Sequence, residues 1–369
     1  MAEPAKRTIR GPNTFDFLRF LAATVVVVAH ASALLGDSIL SGPASIVDGV
    51  AMFFIISGFL VYRSAERALE KSGEWKEFFR NRFLRVAPAL YVYTVLVAIL
   101  LVVTGAVSVS AMFSKGVAIW MIGSFLFVPT YDPSAFSSFG TGQLNSALYT
   151  IPAEVSFYLL IPILFFVARR FGFNWMLAMI IPVAVLSPIV GFEAGGTVSK
   201  VLNNTCLERM AYFGIGVFWV RYWPRVPKHW GLFVLAIVSY LLIKELMPES
   251  LDARLHPVFI SVPLSYMILW FAYNGPKALA SFTDRIGDIS YGTYIWHLPI
   301  INFFIWKGLT GAWTVPVALV TAWLFGAASW WFVERRALTL KRVSERMAET
   351  GELIPGQTSI GKAANRPVV

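Results

Sequence analysis

The sequence predicts an all-α, polytopic membrane helical bundle of about ten transmembrane helices, and three observations predict it. Only 14% of the 369 residues are charged and 57% are hydrophobic, whereas soluble domains run at about 25% charged and about 45–50% apolar. Apolar runs near the length of a bilayer-spanning helix recur along the whole chain. Between those runs, Lys and Arg gather in alternate connections, as the positive-inside tendency of membrane proteins requires. A water-soluble core cannot hide that much apolar surface, and in lipid a helix satisfies its own backbone.

The expected spans are 15–35, 47–62, 86–107, 147–168, 173–190, 206–220, 230–247, 256–273, 286–306 and 313–333. The stretch 113–129 is also apolar. Counting it as a further span would reverse everything after it and put Arg169-Arg170, the Arg221/Arg225/Lys228 cluster and the basic tail outside. Charge therefore argues for a re-entrant or interfacial segment there. Irregular backbone at that depth needs protein or water around it, hence a nearby cavity. The expected organisation is a cytosolic amino-terminal segment 1–14, a transmembrane domain 15–336 and a cytosolic, partly disordered tail 337–369, with both termini in the cytosol.

The net charge of +10 fits basic cytosolic loops and contacts to phosphate-bearing ligands better than nucleic acid. Lys6, Arg7 and Arg10 before an apolar run, with Ala29-His30-Ala31 after it, imitate a secretory signal, but Asp16 and Arg19 sit where such a signal tolerates charge poorly. The single cysteine, Cys206, rules out an intrachain disulfide and reads as packing. No metal-ligand spacing, Gly-rich phosphate loop or nucleophile elbow stands out.

Ionisable groups inside the spans are expensive and mark function or pairing. Arg19 and His30 share the first span; eleven helical steps leave them within about 20° of one face and about 17 Å apart along the axis. Asp16 is on the same face and can pair with Arg19. Histidine is suited to take a proton from a hydroxyl near neutral pH, or it simply bonds a neighbouring helix. Asp48 opens the second span, where it either orients His30 or serves the helix dipole. Ser57-Gly58 reads as a close-packed helix contact or as room for a ligand. Arg82 and Arg85, one turn apart at the inner end of the third span, can grip phosphate or merely obey the positive-inside tendency. Glu154 sits early in the fourth span, in the segment Tyr149 to Tyr158. Arg209 lies beside Glu208 and can pair with it. His297 sits mid-span after the aromatic run that starts at Tyr291.

These segments, in this order, resemble the acyltransferase-3 family of membrane acyltransferases. Phe15-Asp-Phe-Leu-Arg-Phe-Leu-Ala22 through His30 resembles its opening, an Arg and a His separated by ten residues. Asp48 to Leu60 resembles its second helix, Arg80 to Pro88 carries the Arg-x-x-Arg pair, and Tyr149 to Pro162 the acidic residue before Phe-Tyr. Arg209 to Gly216 resembles the Arg-then-Phe-Gly helix, and Ile289-Ser-Tyr-Gly-Thr-Tyr-Ile-Trp-His297 the Ser-Tyr to Trp-His block. The resemblance runs from about Thr14 to Arg336. It implies ten helices, an acyl-CoA donor, His30 as catalytic base, and donor handling by Arg19, Arg82 and Arg85. Asp48 and Glu154 are the expected helpers of His30; Ser57, Tyr149, Arg209, Tyr291 and His297 are expected to bind substrate or support the site.

The expected activity is transfer of an acyl group, acetyl above others, from acetyl-CoA to a hydroxyl of an exopolysaccharide, a lipopolysaccharide sugar or a lipid-linked oligosaccharide. The expected partners are acyl-CoA, that carbohydrate and membrane lipid, without metal or nucleic acid. The expected location is the bacterial inner membrane. The resemblance implies a soluble esterase-like domain appended in members that act on peptidoglycan and in some that modify O-antigen; none is expected here, which favours a polysaccharide or lipid-linked acceptor. The alternative is a transporter or permease for a glycan or acyl-bearing metabolite, since intramembrane Arg and His also line substrate paths.

Overall fold

A computed structural model describes residues 14–36, 42 and 46–339. The expected amino-terminal segment before Thr14 and the expected tail from 340 onward lie outside the described residues. Among the described residues every regular element is helical. In chain order the helices are α1 (Phe15–Leu35), α2 (Gly49–Ser72), α3 (Trp75–Val103), α4 (Val109–Met112), α5 (Lys115–Phe125), α6 (Thr150–Phe171), α7 (Phe173–Ala194), α8 (Gly196–Asn203), α9 (Met210–Tyr222), α10 (Trp230–Leu246), α11 (Glu249–Asn274), α12 (Lys277–Ile286), α13 (Ser290–Trp306) and α14 (Thr314–Ser329), the last running on into a π-turn, Trp330–Glu334.

Seven helices have the length and apolar composition to cross a membrane. Three more stand at expected spans and are apolar but shorter, with 13 residues in α9 and 17 each in α10 and α13. The chain is an integral membrane protein, and its surface says so: Leu159, Ile163 and Phe166, spaced along one face of α6, are each more than half exposed. The apolar runs located the helices better than their ends. Helix α2 continues past the expected Tyr62 to Ser72, and α3 starts at Trp75 rather than near Val86. The intervening Arg, Glu, Lys and Ala are good helix formers, so the helices outlast the hydrophobic stretch. Gly287 at φ 83° closes α12, which precedes the expected ninth span, and moves the start of that span from Ile286 to Ser290. The segment 113–129 holds α5, whose 11 residues span only about 16 Å, too short to cross a bilayer core.

The bundle has two ends. One carries the chain entering α2, the loop from Thr104 to Tyr149 and the turn between α13 and α14; it is called the loop end below. The other carries the α2–α3 turn, α12 and the π-turn, and is called the arginine end. Asp48 starts α2 by accepting a hydrogen bond from the Ala51 N–H at 2.9 Å, and Gly73, left-handed at φ 71°, closes it. α1 packs against α2, α13 and α14, and α2 crosses α9.

That last crossing is a glycine contact. A Cβ on Gly58 would stand 2.1 Å from the Phe213 carbonyl oxygen, and one on Gly216 2.3 Å from the Ile55 oxygen. Both obstacles are backbone, so the helices themselves would have to part. Gly58→Ala is expected to cost about 1–3 kcal/mol, read as a lower unfolding temperature in detergent. Unchanged melting would mean that this crossing contributes nothing.

Loop 132–145 is fixed to α13 from two sides. The Asn302 Oδ1 accepts from the Thr141 N–H at 2.8 Å and the Thr141 hydroxyl at 3.0 Å, while its amide donates to the Gln143 and Leu144 carbonyls. Pro299 has no N–H to offer the carbonyl one turn earlier, that of Ile295. Asn145 supplies the missing donor at 2.7 Å and also donates to the Tyr93 hydroxyl at 3.0 Å.

Candidate active site

Helices α1, α2, α3, α6 and α13 enclose a cavity of about 750 Å³, space at its mouth included. Its wall brings together Arg19, Ser57, Arg82, Arg85, Glu154 and Tyr291. They come from five separate helices, Arg82 and Arg85 sharing α3, and the bundle delivers them to one place.

The three arginines differ in their partners. Asp288, in the short link before α13, lies 2.5 Å from Arg85 and 3.5 Å from Arg19. Glu334 in the π-turn reaches Arg85 at 3.5 Å and accepts from the Ser329 hydroxyl at 3.0 Å. Arg19 also meets Asp16 at 3.6 Å, as the sequence suggested. Burial pushes the Asp288 carboxyl up, but the Arg85 and Arg19 guanidiniums outweigh it and hold the group below the usual carboxylate range. Arg82 makes no ion pair among the described residues. It lies over the Tyr158 ring, 5.8 Å from its centre, and its buried Nε has no hydrogen-bond partner. Of the expected Arg pair, then, Arg85 is committed to carboxylates and Arg82 keeps its donors for something else.

Glu154 accepts a hydrogen bond from the Tyr158 hydroxyl one turn further along α6. The Tyr291 hydroxyl donates to the Val86 carbonyl at 3.2 Å, tying α13 to α3. Tyr294 closes the cavity toward the loop end. Its hydroxyl lies 2.9 Å from the Thr150 hydroxyl and donates to the Ala147 carbonyl at 2.8 Å.

Beyond Tyr294 lie the two histidines. His297 is fully buried, and its ring is 5.6 Å from that of Tyr294. Its Nε2 is 3.1 Å from His30 Nδ1. The other nitrogen, Nδ1, faces the Tyr294 carbonyl, which can only accept. With neutral rings the protons follow: His297 carries its hydrogen on Nδ1, its bare Nε2 accepts, and His30 donates from Nδ1. His30 Nε2 is left with a free lone pair. His30 as a whole is half-buried.

The expectation that Asp48 or Glu154 orients His30 is corrected by these contacts. Asp48 caps α2, and its oxygen is used on a helix N-terminus where a carboxylate is favoured. Glu154 stays with Tyr158 on the cavity wall. The residue that holds His30 is His297. Arg209 and Tyr149 form a separate pair at the loop end, with the guanidinium donating to the phenol at 3.2 Å and lying over its ring. Ser57 faces the cavity while Gly58 makes the helix contact.

Sequence reasoning missed Asp288, Glu334, Tyr158 and Tyr294. Tyr158 and Tyr294 stand inside segments already singled out. Asp288 directly precedes the Ser-Tyr block, and Glu334 is an acidic residue at the end of the last apolar run, a costly position that signals a partner. Among the described residues no group of His, Cys, Asp or Glu is placed to hold a metal ion.

The His30–His297 pair stands one helical turn beyond Tyr294, the last α13 residue to line the arginine cavity. The chain belongs to the acyltransferase-3 family, whose sequence model, described as an acyltransferase domain, matches residues 13–334. It is 29% identical to nodulation protein 10 of Rhizobium leguminosarum bv. viciae, over 89% of this chain and 94% of that one. It is 26% identical to the exopolysaccharide production protein ExoZ of Rhizobium meliloti, over 84% and 93% of the two chains. It is likewise 26% identical to an O-acetyl transferase of Shigella phage Sf6, over 89% and 96%. No solved structure matches the chain significantly.

Proposed function

We propose that this acyltransferase moves an acetyl group from acetyl-CoA to a hydroxyl of an exopolysaccharide, a lipopolysaccharide sugar or a lipid-linked oligosaccharide. The observation that carries the reading is the His30–His297 pair, held one helical turn beyond Tyr294, which lines the cavity at that end. The names of the relatives supply the acceptor class. In this reading the chain crosses the bacterial inner membrane ten times, with both termini and the arginine end in the cytosol, where acetyl-CoA is found. The basic residues of that end fit this orientation.

Acetyl-CoA enters the cavity from the arginine end. Arg82, with no carboxylate of its own, meets a donor phosphate; Arg19 and Arg85 border the same space with their charges already balanced. The thioester points along the cavity toward Tyr294 and the histidines. The acceptor comes from the loop end. His30 Nε2 takes the proton of the attacking hydroxyl as its oxygen bonds the thioester carbonyl carbon. The C–S bond then breaks, and the proton passes from His30 to the departing thiolate. Because the mobile proton sits on Nε2, His297 need only hold Nδ1, a positioning role.

Purified protein in detergent with acetyl-CoA and the glycan of the source cell tests the reading: thioester cleavage should track ester formation on the glycan. A transporter would cleave no thioester. Arg82→Gln is expected to raise the KM for acetyl-CoA by about 10- to 100-fold, the loss of a charge-assisted hydrogen bond, and to leave the melting temperature alone. Arg85→Gln should instead lower the melting temperature, since among the described residues it takes Glu334's only arginine and leaves Asp288 with Arg19 alone among its arginines. If the two variants behave alike, the division between them is wrong.

A further inference from the structure

The hydroxyls on the cavity wall divide by what accepts their hydrogens. Tyr158 donates to Glu154, Ser290 to Asp288 and Tyr291 to the Val86 carbonyl, one acceptor apiece. Ser57 lies one turn beyond Phe53 toward the arginine end. Tyr294 and Thr150 differ. Both hydroxyls reach a single oxygen, the Ala147 carbonyl, at 2.8 and 3.1 Å. The Thr150 N–H is directed there as well. A carbonyl oxygen has two lone pairs, so three donors compete for two places. The two hydroxyls are 2.9 Å apart, so Thr150 can donate to the Tyr294 oxygen instead. The phenol hydrogen is then released, and the Ala147 carbonyl keeps the N–H.

Position gives that hydrogen a use. Tyr294 and Thr150 line the cavity at the end toward the histidines. The Tyr294 ring centre is 5.6 Å from that of His297, which is 5.1 Å from that of His30. Phe53 packs edge-on against the same phenol, with ring centres 5.8 Å apart. The ring is therefore held, and only the O–H bond has to turn. Acyl transfer develops negative charge on the carbonyl oxygen, and a donor already in place there costs no reorganisation when the charge appears.

We infer that the Tyr294 hydroxyl is a catalytic hydrogen-bond donor to the thioester carbonyl oxygen, with Thr150 as the positioning residue that releases it. The inference rests on the acetyl transfer proposed above and adds the group that holds the oxyanion. As the acceptor oxygen bonds the carbonyl carbon, the C=O π pair moves onto the carbonyl oxygen, which accepts from the phenol. When the C–S bond breaks, that pair returns to the C=O bond and the thiolate leaves with the C–S electrons. The phenol keeps its proton throughout. Its hydrogen bond is strongest while the oxygen is charged, so it lowers the barrier more than it tightens binding. Donation from Thr150 polarises the phenol and strengthens that bond further.

The test compares the wild-type protein in detergent with Tyr294→Phe, Thr150→Val and the double variant. Each single change keeps the side chain's shape and leaves the Ala147 carbonyl one hydroxyl and the N–H, so the melting temperature should hold. Tyr294→Phe is expected to lower kcat by about 100-fold, the lower end of what one oxyanion donor supplies, with little change in the KM for acetyl-CoA. Unchanged kcat overturns the inference. Thr150→Val should cost less, and the double variant should be no slower than Tyr294→Phe, because Thr150 acts through the phenol. A further loss in the double variant overturns the relay. A second readout needs no turnover. Acetyl-CoA carrying carbon-13 at its carbonyl is bound without glycan, and the infrared stretch of that carbonyl is recorded. The hydrogen bond should lower its frequency in the wild-type protein and not in Tyr294→Phe. Equal frequencies overturn the inference and leave acetyl transfer standing. A shift lost in Tyr294→Phe, in a protein that acetylates no glycan, removes the proposed reaction and keeps Tyr294 on the thioester.

Discussion

His30→Ala is expected to lower acetyl transfer by about three orders of magnitude, within the range that a positioned general base supplies, while the protein remains folded. The imidazole is half-buried, and its one protein hydrogen bond to another side chain runs to His297. Removing it takes away the basic nitrogen and little packing. The KM for acetyl-CoA should hardly change, because the residues proposed to meet the donor lie on the far side of Tyr294. His297→Phe should lower kcat by a smaller factor, about 10- to 100-fold, since the base survives but loses the acceptor that fixes its tautomer. The double variant should be no slower than His30→Ala alone, as for residues acting as a unit. Multiplicative losses would show that the two rings work separately. Substantial glycan acetylation by folded His30→Ala protein would remove the base from the mechanism altogether.

Asp288→Asn is expected to destabilise the protein by about 3–5 kcal/mol, the cost of removing one partner from a buried ion pair. Asp288 is a hub: its side chain is 10% exposed and holds Arg19 and Arg85, each 18% exposed. Asparagine keeps the shape and deletes the charge. Arg85 would keep Glu334, and Arg19 would keep only the exposed Asp16, so part of the network survives. Adding Arg85→Gln to Asp288→Asn should therefore cost less than the sum of the single changes. Thermal unfolding of the four proteins measures this, and strict additivity would mean that the pair is not coupled. The pH dependence has a definite sign. Asp288 titrates lower in the folded protein than in the unfolded chain, where a free Asp stands at about 3.9. Its stabilisation is complete above the unfolded value and is lost only as pH falls through the lower folded one. Between neutral and mildly acidic pH the difference in stability between the wild-type protein and Asp288→Asn should stay flat.

Much of this architecture was legible in the sequence. The all-helical membrane class followed from runs such as 15–35, which the bilayer's thickness makes unambiguous. Arg19 and Glu154 were found because charge in an apolar span is costly wherever it occurs, Arg82 and Arg85 because they stand one turn apart at the inner end of one, and all four line one cavity. What stayed hidden was pairing between distant segments. His30 and His297 are separated by most of the chain, and only the packing of α1 against α13 makes them neighbours. Asp48 was a reasonable candidate partner for His30 because it opens the adjacent helix. Its own helix end claims the carboxylate first, a local interaction that costs less ordering than a tertiary one. Asp288 lay in the three-residue link that Gly287 opens, and the helix break there is set by backbone conformation rather than hydrophobicity. Helix ends failed for the same reason, since α2 and α3 extend through sequence that propensity, not lipid, keeps helical.

The loop that Asn302 and Asn145 fasten to α13 has a consequence for how enzymes of this design diversify. Asn145 completes the backbone at the break that Pro299 makes, two residues from His297. Grafting this loop from one relative to another, in the hope of exchanging which glycan is recognised, would also alter the carbonyl that steadies the reactive turn. New selectivity acquired at that end of the bundle should thus arrive together with a change in turnover, and lineages that switched glycans should carry compensating replacements along α13.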